Sequence, residues 1–180
     1  MSATGYGLAA ATAVLWAMLA GAASASPSAV HAVQSLTQAK VSLPEGIHLA
    51  EQQAGGHAVS ASYEVPDGRP PYYLIEILQG DGLSLTRCEL SPATGKVQPA
   101  GDQHPNKLFG RLKPSAVENA PTSLAGAVQR AEERAGGKAT GATIEPGGDQ
   151  VNYLIDIARL DGSTQSVEVN GADGTVAGTD

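Results

Sequence analysis

The sequence is poor in charged residues, aromatic residues and cysteine. Only 16% of its 180 residues are charged and 4% are aromatic, whereas roughly 25% of an average soluble protein is charged. The single cysteine, Cys88, excludes an intrachain disulfide framework and a cysteine-rich zinc site. Acidic residues outnumber basic ones and give a net charge of −7, which argues against nucleic acid as a partner. These numbers predict one or two small acidic domains with aliphatic cores.

The N-terminal part of the chain lacks charge altogether, because no Lys, Arg, Asp or Glu precedes Lys40. Residues 8–23 form an uncharged, mostly apolar run that is shorter than the roughly 20 residues of a transmembrane helix. An A-x-A signature follows at residues 23–25. This order predicts a signal peptide over residues 1–25, cleaved after Ala25, and a periplasmic or secreted protein with no membrane span after cleavage. An uncleaved membrane anchor and a flexible tail are the alternatives.

The remainder of the chain contains an internal repeat. Three blocks occur twice in the same order: 42–56 with 123–137, 73–82 with 153–162, and 89–97 with 168–176. Chance similarity between apolar segments does not preserve such an order, so the sequence indicates a duplication. The predicted organisation is an N-terminal segment at 26–40, unit 1 at 41–97, a linker at 98–120, and unit 2 with a C-terminal tail at 121–180.

Each unit shows the same pattern of predicted elements. Ser42 and Ser123 are suited to cap a helix that a Gly-Gly pair ends. Three strands follow, near 57–64, 72–78 and 83–90 in unit 1 and near 138–145, 151–158 and 163–170 in unit 2, with Asp-Gly turns between the last two. The sequence therefore predicts an α+β fold of two tandem α-β-β-β units, each an antiparallel sheet covered by one helix.

Alternation along the second strand of each unit predicts which side chains are buried. The residues expected to face the helices are Tyr73, Ile75, Ile77, Tyr153, Ile155 and Ile157. In the third strand of unit 1 the apolar residues change parity, since Leu83 and Leu85 share one face and Cys88 and Leu90 the other. We expect a β-bulge near residues 86–87 to restore a common face.

The repeated motifs resemble the PepSY domain family. They are a helix that begins S-L and ends A-G-G, a strand with Y-x-I-x-I, a D-G turn and a closing A-x-G-x-V, present at 41–97 and again at 121–176. PepSY domains occur in the propeptides of thermolysin-like secreted metalloproteases and in many exported bacterial proteins. The resemblance implies a layout similar to cystatin-like folds, a role in binding or restraining proteases, and no catalytic residues.

The residues themselves show no pattern typical of catalysis, cofactor binding or metal binding. The sequence contains no H-E-x-x-H, G-x-S-x-G or phosphate-loop motif, and its four histidines lack ligand spacing. Carboxylates recur at equivalent positions of the two units, and a solvated sheet face explains them better than acid–base catalysis. These pairs are Glu64 with Glu145, Glu76 with Asp156, and Glu89 with Glu168. We therefore expect a non-catalytic binding or inhibitory module for a secreted or envelope protein such as a protease. The alternative is an extracytoplasmic sensor or carrier of a small ligand or metal.

One apolar patch remains after the core is assigned. Tyr72, Leu74 and Leu78 alternate with the inward residues of unit 1, and the equivalent residues of unit 2 are Asn152, Leu154 and Ala158. A solvated sheet face is largely polar, so these apolar side chains need a cover. Two hypotheses follow: the two units pack against each other through this face, or Tyr72, Leu74 and Leu78 bind a partner protein with Tyr72 as the aromatic anchor.

Overall fold

The computed structural model describes residues 27–80, 84–101, 104–105, 113–147 and 149–178, so the predicted signal peptide lies outside the described residues. The helices are α1 (Pro27–Thr37), α2 (Leu43–Ala54), α3 (Pro114–Glu118) and α4 (Leu124–Ala135). The strands of the first half are β1 (Gly56–Glu64), β2 (Tyr72–Gln79), β3 (Ser84–Leu90), β4 (Val97–Pro99) and β5 (His104–Pro105). Those of the second half are β6 (Lys138–Gly147), β7 (Gln150–Ala158), β8 (Thr164–Asn170) and β9 (Val176–Gly178).

The strands form one antiparallel sheet in the order β4-β3-β2-β1-β6-β7-β8-β9, with β5 paired to β3. The two units meet where β1 pairs with β6, through Ala61 opposite Ala142 and the pairs on either side of it. The α+β class and the antiparallel sheet are therefore confirmed. The expectation of a separate sheet for each unit is corrected, because the sheet runs without interruption from one unit into the other.

The core lies between this sheet and helices α2 and α4, which also pack against each other. All six residues predicted to face the helices are at most 2% exposed, which confirms their assignment. Residues of both units belong to one continuous hydrophobic cluster. The sequence analysis missed α1, which buries Val33 and Leu36, and α3, which buries Ala116 and Val117. None of the described helices has the length and apolar character needed to cross a membrane.

The Gly-Gly pair that ends each main helix serves two separate requirements. Gly55 and Gly136 adopt left-handed backbone conformations with φ of 73° and 67°, which glycine tolerates best. The second glycine allows close approach of two strands. A Cβ on Gly137 would lie 2.6 Å from the carbonyl oxygen of Ala158, and a Cβ on Gly56 would clash in the same way with the carbonyl of Leu78.

The predicted bulge in β3 is wrong. Residues 85–90 of β3 pair with β2 in continuous register, so Leu85 lies opposite Leu78 and on the other face from Cys88. The bulges lie instead at Val59 in β1 and Thr140 in β6, equivalent positions of the two units.

A half-buried carboxylate supports each bulge. Glu51 accepts a hydrogen bond from the backbone N–H of Ala58, and Glu132 accepts one from that of Ala139, both at 2.9 Å. The two glutamate side chains are only 19% and 16% exposed. The repeated Ala-Glu in the two main helices therefore has a structural role, which sequence reasoning did not detect.

Candidate interaction face of the sheet

One face of the sheet carries α2 and α4, and we call the opposite one the outer face. Cross-strand pairing arranges its side chains in two rows across the seam between the units. The first row is Arg87, Glu76, Ser60, Thr143, Leu154 and Glu168, and the second is Glu89, Leu74, Ser62, Gly141, Asp156 and Ser166. When the second row is read from its last residue to its first, each residue is the repeat equivalent of the residue at the same position in the first row. The outer face therefore has an approximate two-fold symmetry about the seam.

The predicted patch lies on this face, but only two of its three residues are accessible. Tyr72 and Leu74 are partly exposed, and Arg69 lies over the Tyr72 ring at 5.0 Å from its centroid. Leu78 is only 2% exposed and cannot contribute to a docking surface. The units meet edge to edge at β1 and β6, so the described residues of one unit do not pack onto the other through this face.

The paired carboxylates also lie on the outer face, as the solvated-face hypothesis expected. Glu76 and Asp156 are separated by strands β1 and β6 and lie in different rows, so at roughly 4.8 Å per strand they are more than about 14 Å apart. This distance exceeds the roughly 5–9.5 Å over which two carboxylates cooperate in known acid–base pairs. Within the described ranges, no three His, Cys, Asp or Glu side chains come together as a metal site.

Cys88 has the properties of a core residue. It is 4% exposed, and burial raises the pKa of its thiol. A thiolate is the reactive form of cysteine, so this environment disfavours a nucleophilic role.

A shallow groove follows the seam on the outer face. It has a volume of about 230 Å³ and is lined mainly by the small residues of β1 and β6, with Leu154 and Asp156 on the β7 side. The small residues Ser62 and Gly141, which lie opposite each other, leave this space open.

Two further clefts occupy equivalent places at opposite ends of the molecule. The larger, about 370 Å³, lies between α3, the start of β7 and the turn before β9, and the ion pair of Lys113 with Asp149 stands in its wall. Its counterpart beside α1 has about 180 Å³ and is lined by Tyr63 and several prolines. Only the larger cleft falls within the roughly 300–1,000 Å³ typical of small-ligand sites.

The closing turns of the repeat hold the main helices in place. The carbonyl of Pro92 accepts hydrogen bonds from the backbone N–H groups of Lys40 and Val41, and the carbonyl of Gly171 accepts one from Thr122. From the sheet, the Tyr73 hydroxyl donates a hydrogen bond to the backbone carbonyl of Val41. These repeated motif residues therefore position the start of each helix.

Tyr153 makes the equivalent bond in unit 2, where its hydroxyl donates to the carbonyl of Thr122 at 2.6 Å. Burial, helped by the negative charge of Glu51, raises the pKa of Tyr153 from 10.0 to about 12. The folded state thus disfavours the phenolate more than the unfolded state does. The tyrosine contributes its full stability below pH 10, and that stability is lost as the pH rises through about 12.

We expect the free energy of unfolding to fall between pH 10 and 12, and to fall less steeply in Tyr153→Phe. Urea unfolding at several pH values across this range measures both slopes. Equal slopes in the two proteins would show that Tyr153 does not contribute to the alkaline loss.

Comparison with known proteins supports the family resemblance for the second unit. No curated protein matches the chain. A solved structure described as a "putative lipoprotein" from Clostridium difficile 630 is 17% identical, with a TM-score of 0.47 over 79% of this chain and 93% of that one. Residues 123–180 match the PepSY family, described as peptidase propeptide and YPEB domain. The C-terminal unit of this chain is therefore similar to the PepSY domain.

Proposed function

We propose that this protein is a non-catalytic exported module that binds a secreted or envelope protein through the outer face of its sheet. The observation that carries the proposal is the partly exposed Tyr72 and Leu74 on a face opposite the helices. An antiparallel sheet face that meets only water is largely polar. The family description of residues 123–180 as peptidase propeptide makes a protease the first target to test.

The proposal treats unit 1 as a second PepSY-like unit. Both units have a 12-residue main helix followed by strands in the same order. They also share equivalent tyrosine bonds, carboxylate-supported bulges and closing turns. In such a pair, the second strand of each unit, β2 and β7, belongs to one continuous sheet. The surface of this sheet is wider than that of a single unit.

The proposal places the protein in the periplasm or outside the cell, after cleavage behind Ala25. N-terminal sequencing of the exported protein tests this cleavage site. A mature chain beginning at residue 26 supports it, and a retained apolar N-terminus contradicts it.

The central test is capture of a partner from envelope extract, compared between wild type and two outer-face variants. Tyr72→Ala and Leu74→Ser are each expected to weaken retention of the captured partner about tenfold, a loss of roughly 1.4 kcal/mol. Because both side chains are partly exposed, thermal unfolding is expected to change little.

Leu160→Ser is the matched control, since Leu160 is 70% exposed and follows β7, which lies three strands across the sheet from the β2 strand of Tyr72. This variant is expected to bind like the wild type. Equal retention by all four proteins would contradict binding through Tyr72 and Leu74.

A sensor or carrier of a small ligand is the second candidate function, favoured by the 370 Å³ cleft beside α3. The two candidate functions differ in the position of the binding site. A small molecule in the cleft would shift the amide resonances of α3 and the start of β7, whereas a protein partner on the outer face would shift those of β1, β2 and β6.

A further inference from the structure

The two halves of the outer face carry equivalent carboxylates but different cations. In unit 1, Arg87 pairs with Glu76 at 2.7 Å and Arg69 pairs with Glu89 at 2.9 Å. In unit 2, Ser166 occupies the position equivalent to Arg87, and the residue 80 positions after Arg69 is Asp149. Unit 2 therefore has the equivalent acidic residues but neither of the two arginines that neutralise them in unit 1.

Three carboxylates of unit 2 on this face have no cationic partner among the described residues. Asp156 accepts a hydrogen bond from the Ser166 hydroxyl at 2.7 Å, and Glu168 accepts one from the Asn152 amide at 2.8 Å. Both donors are neutral. Neither of these carboxylates, nor Glu145, has a Lys or Arg partner in the part of the chain that the structure describes.

An apolar residue lies between these charges. Leu154 is half-buried and stands directly opposite Glu168 on β8. Asp156 follows two residues along β7, and Glu145 lies opposite Asn152, two residues in the other direction. Neighbours at such positions are about 5–8 Å apart. We call Glu145, Leu154, Asp156 and Glu168 the acidic half-face.

We propose that the acidic half-face docks an extended, positively charged segment of the partner protein, in which Lys or Arg side chains flank an apolar one. This inference rests on the proposed function and adds the chemistry of the partner. The apolar side chain contacts Leu154 at the edge of the groove, and the cations meet the surrounding carboxylates. Charge complementarity of this kind raises the association rate and excludes acidic partners.

The arrangement disfavours two other occupants, a divalent cation and a lipid surface. Carboxylates that surround a leucine on three sides do not converge on one point, as the oxygen ligands of a divalent ion must. An anionic lipid surface would be repelled by the same charges. A protein segment with cations spaced along its length matches the arrangement.

The test uses two synthetic heptapeptides of alternating residues, one of lysine and valine and one of glutamate and valine. We expect the lysine peptide to shift the amide resonances of β6, β7 and β8 and the glutamate peptide to shift none of them. The triple variant E145Q/D156N/E168Q is expected to weaken binding of the lysine peptide at least about tenfold. High salt should weaken binding to the wild type as well.

The matched control E45Q/E118Q/E133Q removes the same charge from exposed acids on the helices. It is expected to change the affinity less than about twofold, a few tenths of a kcal/mol. Equal weakening in both triple variants would show that only the net charge matters and would overturn the inference. Binding of both peptides alike, shifts confined to another surface, or Ca²⁺ binding with no peptide binding would overturn it too.

The extract experiment separates this inference from the function on which it rests. A partner whose capture depends on Tyr72 and Leu74 but not on the triple substitution would leave the proposed function standing and refute the acidic half-face. Loss of capture in the triple variant, with an unchanged thermal unfolding midpoint, supports both.

Discussion

Replacing Ile155 by alanine is expected to lower the free energy of unfolding by about 2–5 kcal/mol. Ile155 is 0% exposed and lies at the centre of β7 beneath α4. The substitution removes buried methyl and methylene groups and leaves a cavity that the close-packed core fills only in part. Urea unfolding followed by circular dichroism measures the change. A loss under about 0.5 kcal/mol, typical of surface positions, would mean that the inward face of β7 is wrongly assigned.

Ile75→Ala is the matched substitution in unit 1, since Ile75 is also 0% exposed. One hydrophobic cluster contains both residues, so each variant should shift a single cooperative transition of the whole chain. Two separate transitions, each moved by only one of the variants, would show that the units fold independently despite their shared sheet.

The sequence was sufficient to predict the units because their signals are local. The caps at Ser42 and Ser123, the Gly-Gly endings and the alternation around Ile75 and Ile155 each depend on neighbouring residues. The duplication then supplies two independent copies of every signal. Agreement between the copies fixed the inward face of each second strand correctly.

The joining of the units could not be predicted in this way. It depends on β1 pairing with β6 between residues about 81 positions apart in sequence, such as Ala61 and Ala142. Small residues at this seam have weak strand preference, so nothing local identifies them as the centre of the sheet. The position of the bulges was missed because the carboxylates that support them lie on the helices, at Glu51 and Glu132.

The same distinction between local signals and distant contacts applies to the candidate site. Alternation placed Tyr72 and Leu74 on the face opposite the helices, where the structure has them. It also placed Leu78 there, but burial depends on what covers a side chain, and alternation carries no information about that. The contrast between compensated and uncompensated carboxylates required the cross-strand partners, in particular Arg87 opposite Glu76.

Gly137→Ala is expected to destabilise the protein by about 1–3 kcal/mol or more, although it adds a single methyl group. The added carbon would lie 2.5 Å from the Ile157 Cγ2 and 2.6 Å from the Ala158 carbonyl oxygen. The clash with the backbone cannot be relieved by a side-chain rotation, so β6 and β7 must move apart where α4 leads into the sheet. Gly80→Ala is the control, because a Cβ there meets nothing within 4 Å, and its effect should stay within about 0.5 kcal/mol. Equal stability of the two variants in urea unfolding would show that the close approach at Gly137 does not constrain the fold.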